Sequence, residues 1–221
     1  VFAQLRVLVP AVHPRMYDDV LLRWDERLLG GHPGAWLDPV ASPPLTEVLR
    51  ACWLCYFILP FLVAVPLWRR GRTAVFDEMA LALVFGWLLS FAGYYAVPAL
   101  GPGYFPDRVP APEVVSAPGV TQTTAHFLFS LEGRMTDIFP SGHTIIALLA
   151  LWQAARHRLR GWPLLVPVVS GLVVGTVYLR YHYGVDVVAG VAVAGLVIAV
   201  TPRWAASHRA RPDAGITVRS P

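Results

Sequence analysis

Two short runs place histidines where they could do acid–base or nucleophilic chemistry beside a bound anion. The first, Phe139-Pro140-Ser141-Gly142-His143-Thr144, opens an apolar stretch. Pro140 ends a loop, and Ser141 is a favoured N-cap residue. Free backbone N–H groups at such a helix start, aided by the helix dipole, bind anions. His143 then sits one turn in, able to give a proton to a bound oxyanion. The second run is Tyr178-Leu179-Arg180-Tyr181-His182-Tyr183-Gly184-Val185-Asp186. If it is helical, His182 and Asp186 share one face a turn apart. The carboxylate would accept the imidazole N–H, fix its tautomer and raise its basicity, which prepares a histidine as nucleophile or base. Each feature has a plainer reading. A lone interfacial His can be a satisfied polar residue, a His–Asp pair can be a structural hydrogen bond, and Arg180 can be a snorkelling anchor. Ionisable groups at apolar helices are costly, and two such groups falling on one side favour a site.

The elements that must position these groups are membrane helices. Hydrophobic residues make up 56% of the 221 and charged residues 14%, against about 25% charged in a soluble domain. Mean hydropathy is +0.53. Spans of roughly 20 apolar residues are expected at 51–68, 81–98, 141–155, 162–179 and 185–201, with Pro60, Pro66 and Pro167 tolerated inside them. Residues 16–30 read as an amphipathic helix, with Tyr17, Val20, Leu21, Trp24 and Leu28 at helical spacing and Asp18, Asp19, Arg23, Asp25 and Arg27 between them. Such a helix would lie at the interface or pack on an extramembrane loop. The Pro- and Gly-rich stretch 99–140 reads as a functional loop with a short helix near 123–131. Cys52 and Cys55 form a CxxC pair inside an apolar run with no second metal-ligating pair, which reads as helix packing.

All 18 basic residues are arginine, and most lie beside apolar runs rather than along one face, so the charge of +4 is no nucleic-acid footprint. The positive-inside rule assigns 69–72, 156–160 and the tail after 202 to the cytoplasm. The 99–140 loop, the 180–186 turn and residues 1–48 then lie outside. The expected layout is a non-cytoplasmic or interfacial segment 1–48, a membrane catalytic domain 49–202 and a cytoplasmic tail 203–221. The chain begins with Val, and a further helix is expected upstream in the full-length protein.

Pro140-Ser141-Gly142-His143 and His182-Tyr183-Gly184-Val185-Asp186 resemble the second and third signature motifs of the type 2 phosphatidic acid phosphatase superfamily. Tyr94-Tyr95, Pro98, Gly101-Pro102 and Phe139-Pro140 look most like its branch related to inositol phosphorylceramide synthases. The resemblance implies a six-span-type fold and a metal-independent phosphohistidine mechanism with no cofactor. In it His182 attacks phosphorus, Asp186 orients His182, His143 protonates the leaving alkoxide, and Ser141 with the Gly142 amide holds phosphate oxygens. The family's first motif supplies Lys and Arg for phosphate, yet this chain has no lysine. Its nearest equivalent is Gly101-Pro102-Gly103-Tyr104. The arginine six residues before the nucleophile is replaced by Thr176. Arg180, Arg134 and Arg108 are the substitutes expected, since a guanidinium fork can bind two phosphate oxygens.

Asp137, six residues before His143, could pair with Arg134, cap the helix or contact an acceptor hydroxyl. His13, His32, His157 and His208 read as surface residues, and nothing marks His126. The sequence therefore predicts an all-α integral membrane bundle in the cell membrane, with five spans, an interfacial amphipathic helix and an active site away from the cytoplasm. Its substrate would be a lipid phosphate among membrane lipids. Hydrolysis, headgroup transfer through the same intermediate, and non-catalytic binding of lipid phosphate are the three functions the residues allow.

Overall fold

The computed structural model describes residues 2–132 and 136–209. Within them the regular elements are helices: α1 (Phe2–Val12), α2 (Asp18–Trp24), α3 (Gly34–Leu37), α4 (Pro43–Leu54), α5 (Leu59–Arg69), α6 (Thr73–Ala96), α7 (Glu113–Ser116), α8 (Val120–Glu132), α9 (Gly142–Arg156), α10 (Trp162–Tyr178) and α11 (Gly184–Arg209). The helix expected near 123–131 is α8. Helix α9 is the centre of the bundle, with Ile145, Ile146, Ala147, Leu149, Ala150 and Ala154 all fully buried. It packs against α5, α6, α10 and α11, and α10 packs in turn on α4. Small residues let these backbones approach. A Cβ on Gly175 would lie 2.9 Å from the Leu49 carbonyl oxygen, and one on Gly171 would lie 2.8 Å from Cys52 Sγ. Cys52 and Cys55 are free thiols, and Cys52 is used as a packing residue.

Two helices, Thr73–Ala96 and Gly184–Ser207, are long and apolar enough to cross a membrane. The bent pair Pro43–Phe57 and Leu59–Arg69 makes a third crossing if counted as one span. Five full-length spans were expected, and the differences have physical causes. The apolar run 51–68 is not one straight helix: it breaks at a 3-10 turn, Cys55–Phe57, and bends by 46°. Pro60 lacks an N–H and its ring would clash with the carbonyl four residues back, so the break falls one turn before it. Helix α6 starts eight residues earlier than the 81–98 run predicts. Helices α9 and α10 have 15 and 17 residues; at 1.5 Å per residue α9 spans only about 22 Å. The arginine-rich turns do gather at one end, away from the start of α9. Arg72 Nη1 donates to the His157 carbonyl at 3.3 Å, and Arg156 lies 3.8 Å from Glu78.

The N-terminal segment differs most from expectation. The amphipathic stretch 16–30 forms α2, which continues as a π turn, Asp25–Leu29, and it packs on the loop 99–101 and the turn 183–185. Its apolar residues Trp24 and Leu28 are exposed, whereas Leu21 is buried together with Asp18 and Asp25. Two of the five charged residues assigned to its polar face therefore point inward. His32, expected at the surface, is only 6% exposed. Its Nδ1 accepts the Gly34 N–H at 2.9 Å. Burial, and then the nearby Arg180, hold its imidazole down to about 4.

Candidate active site

The two sequence runs meet at the N-terminal ends of α9 and α11. Ser141 caps α9 as its sequence suggests: its Oγ accepts the Thr144 N–H at 3.3 Å and the Thr144 hydroxyl at 3.0 Å. The Ser141 N–H donates to the Asp186 carbonyl at 3.1 Å, which ties the start of α9 to the first turn of α11. Gly190 makes that approach possible, because a Cβ there would lie 2.9 Å from the Ser141 carbonyl oxygen. On the other side a Cβ on Gly142 would overlap the Tyr94 hydroxyl of α6. The loop 99–104 joins the same assembly through a bridge between Ala99 and Asp137 and through the Gly103 N–H, which donates to the Arg180 carbonyl at 2.8 Å. Gly101 has φ +95° and sits 2.9 Å (ideal Cβ) from the Tyr181 carbonyl oxygen, so no side chain, arginine included, fits there.

Helix α10 ends in a way that aims His182. Thr176 O accepts the N–H groups of both Tyr181, at 2.9 Å, and His182, at 3.0 Å. Arg180 takes the left-handed conformation, φ +61°, where glycine is the usual helix stop and another residue costs about 1–2 kcal/mol. The Arg180 side chain explains the exception. Its Nη2 donates to both Asp38 oxygens at 2.7 and 2.8 Å, its Nη1 to the Tyr178 carbonyl at 2.9 Å, and its Nε and Nη2 to the Pro110 carbonyl at 3.2 and 2.8 Å. The side chain is 3% exposed. Removing the partner from a buried pair strands the remaining charge, at a cost of about 3–5 kcal/mol. Asp38→Ala is therefore expected to lower the thermal unfolding temperature in detergent sharply, and Asp38→Asn less so.

The result is a histidine pair. His143 Nδ1 and His182 Nε2 face each other at 3.3 Å. Behind them His182 Nδ1 faces Asp186 Oδ2 at 3.5 Å, and the same oxygen accepts the Tyr183 N–H at 2.9 Å. His182 is in the turn between α10 and α11, and burial first, then His143, holds its imidazole well below the usual histidine range. One imidazole nitrogen thus faces a carboxylate and the other faces the second histidine, an arrangement that can prepare a nucleophile. Aromatic rings frame His143: Trp53 stacks on it with centroids 5.5 Å apart, and Tyr56 lies at 4.3 Å.

Two cavities reach this pair. One, about 440 Å³, runs between α5 and α6 and is lined by apolar side chains such as Phe61, Phe76, Met79 and Leu83, ending at His143 and Asp137. The other, about 330 Å³, is lined by Trp53, Tyr104, Asp137, Arg180, Tyr181 and both histidines. Of the expected site residues, Ser141, Gly142, His143, His182 and Asp186 come together. Arg180 borders the second cavity, but its guanidinium is turned to Asp38. Arg108 lies apart: it pairs with exposed Asp19 in a surface hollow with Leu22, Arg23 and Glu26. Arg134 falls outside the described residues.

Several residues that build the site were not legible as such. Asp18 accepts the N–H groups of Leu100, at 3.0 Å, and Gly101, at 2.9 Å, and the Tyr183 hydroxyl at 3.1 Å. Asp25 accepts those of Gly184 and Val185, at 2.9 and 2.8 Å. Fully buried Arg50 donates to the Val115 carbonyl at 2.7 Å and to Glu47 at 3.0 Å. Only the i,i+7 spacing of Asp18 and Asp25, with buried Leu21 between, carried a signal of a shared inner face.

Residues 19–200 match the sequence model of the PAP2 superfamily. A curated relative, the phosphoinositol dihydroceramide synthase of Bacteroides thetaiotaomicron, is 29% identical over 155 residues, 64% of this chain and 50% of the relative. The chain thus spans about half the length of that relative. No solved structure matches it.

Proposed function

As the chain belongs to the PAP2 superfamily, we propose that it cleaves a lipid phosphoester through a phosphohistidine intermediate on the non-cytoplasmic side of the cell membrane. The observation that carries this reading is the facing of His143 and His182 at 3.3 Å with Asp186 behind, at the end of an apolar cavity. A substrate phosphate takes the place between the rings. His182 Nε2 attacks phosphorus and forms the N–P bond as the P–O bond to the lipid breaks. His143, protonated, gives its proton to the departing alkoxide. Asp186 holds the Nδ1 proton and balances the charge the ring gains. The Ser141 hydroxyl and the Gly142 amide, at the start of α9, hold phosphate oxygens. Water then enters, gives a proton to His143, and its oxygen displaces His182 from phosphorus. No step is routed through a metal.

The gathering of the arginine-rich turns at the far end supports a layout in which the histidines face away from the cytoplasm. In it the bent pair, α6, α9, α10 and α11 are the five crossings of a six-span-type bundle, with α9 and α10 shielded by their neighbours. Segment 1–48 and the loop 99–140 then cover the outer face, and the stretch from 203 on lies in the cytoplasm.

A second reading is favoured by two observations: two cavities share His143 and Asp137, and the relative is named a synthase. In this reading an alcohol, instead of water, takes the phosphoryl group from His182. Purified full-length protein in detergent is offered dioctanoyl phosphatidate or dioctanoyl phosphatidylinositol labelled in the phosphate, with and without a short-chain ceramide. Acid-labile, alkali-stable label on the protein together with free phosphate from phosphatidate, or labelled inositol phosphate from phosphatidylinositol, supports hydrolysis. Label moving to the ceramide supports transfer. Absence of both label on the protein and any turnover defeats the catalytic reading and leaves binding of lipid phosphate.

A further inference from the structure

Three carboxylates stand behind His182, and the scheme above uses only Asp186. The other two, Asp18 and Asp25, come from one face of α2 and its π turn, and are 4% and 0% exposed. Nothing local to α2 needs them there. Asp25 is spent entirely on the chain around the nucleophile: its two oxygens take the N–H groups of Gly184 and Val185, the first residues of α11, 159 and 160 positions away. Helix starts are ordinarily capped by an adjacent side chain; this one is capped from across the fold by a buried carboxyl group. Asp18 holds Tyr183 by its hydroxyl and, with the same oxygen, the Gly101 N–H. Residues 183 to 185 are thus gripped by two acids, and they lie between His182 and Asp186 in the chain.

The grip has a chemical consequence. When His182 bonds to phosphorus, its ring takes up positive charge, and Asp186 is the nearest counter-charge. Asp186 can serve only if its carboxylate stays beside Nδ1, and that depends on the first turn of α11 staying where Asp25 holds it. Burial pushes the Asp25 carboxyl up while the Gly184 and Val185 N–H groups pull it down, and burial with Asp18 pushes the Tyr183 phenol up, so the hydroxyl stays a donor.

We infer that Asp25, assisted by Asp18 through Tyr183, is a positioning residue for the nucleophile, acting on His182 through the first turn of α11. This rests on the phosphohistidine reading given above.

The test uses full-length protein in detergent and whichever of the two labelled lipids is turned over, with rates expressed per active site from the labelled-protein burst and His182→Ala as the zero. Asp25→Asn keeps the shape and removes the charge. It is expected to lower kcat about 10- to 100-fold, the range for loss of an outer partner of a reacting group. KM should stay within about twofold, since nothing that touches substrate has changed. A merely structural role would lower the unfolding temperature and the number of active sites while kcat per site stayed put, and that result overturns the inference. Should Asp25→Asn not fold, Tyr183→Phe removes one hydroxyl and leaves the packing, and is expected to lower kcat about fivefold; an unchanged kcat there overturns the inference equally. Wild-type protein that matches His182→Ala brings down the phosphohistidine reading, and this inference with it. An active wild type beside an unaffected Asp25→Asn brings down the inference alone.

Discussion

Alanine in place of His182 is expected to abolish turnover and to leave no covalent label on the protein. The expectation follows from how little else in the site could attack phosphorus. The His182 backbone is held at the Thr176 carbonyl, and its ring faces His143 through Nε2 and Asp186 through Nδ1, the latter at 3.5 Å. The neighbouring hydroxyls, Ser141 and Thr144, are bonded to each other and buried. When a nucleophile and its orienting group act as a unit, losing the nucleophile removes nearly all the acceleration, and what survives comes from binding alone. The measurement is alkali-quenched labelling beside steady-state turnover. Undiminished label in His182→Ala would assign the covalent step elsewhere. The variant should still fold, since the main-chain bonds of residue 182 do not depend on its side chain.

His143→Ala is expected to act differently, and the difference identifies its role. A general acid contributes about 10²–10⁴-fold, but only where the leaving group needs a proton. With a lipid alkoxide leaving, the loss should fall in that range. With a nitrophenolate leaving group of the same phosphate, which departs without protonation, the first step should be nearly as fast as in wild type. The second step still needs a base for the incoming water or alcohol, so labelled protein should accumulate. Measuring burst and steady state for both leaving groups separates these outcomes. An equal loss for both would mean that His143 binds phosphate instead of donating a proton. Its aromatic surroundings argue against binding as the main role. Trp53 and Tyr56 hold the ring on two sides and leave Nδ1 as the edge presented to His182.

The parts of the site that could be read from the chain are those whose partners lie within a turn. Ser141 as N-cap, His143 a turn in, and His182 with Asp186 at i,i+4 all depend on helix geometry, which spacing encodes. Helix α8 was legible for the same reason. The arginine-rich turns that the sequence groups on one side do gather at one end of the bundle. What could not be read depends on contacts across the fold. Asp18 and Asp25 look like the polar face of a surface helix until the turn 183–185 and the loop 99–101 are set against them. Arg180 looks like a phosphate ligand until Asp38, 142 residues earlier, takes its guanidinium. The break at 55–58 was hidden because hydropathy is blind to backbone direction: Pro60 interrupts the helix without interrupting the apolar run.

The bond from the Ser141 N–H to the Asp186 carbonyl also has a mechanical meaning. It joins α9 and α11 at the ends beside His143 and His182, while their other ends run toward the arginine-rich face. Two rods pinned at one tip behave as a pair of callipers. Bilayers of different thickness tilt and splay helices, and the displacement grows with distance from the pin. The gap between His143 and His182, which sit within a turn of that pin, changes least. If the two histidines react as proposed, their separation is expected to vary little with the thickness of the bilayer.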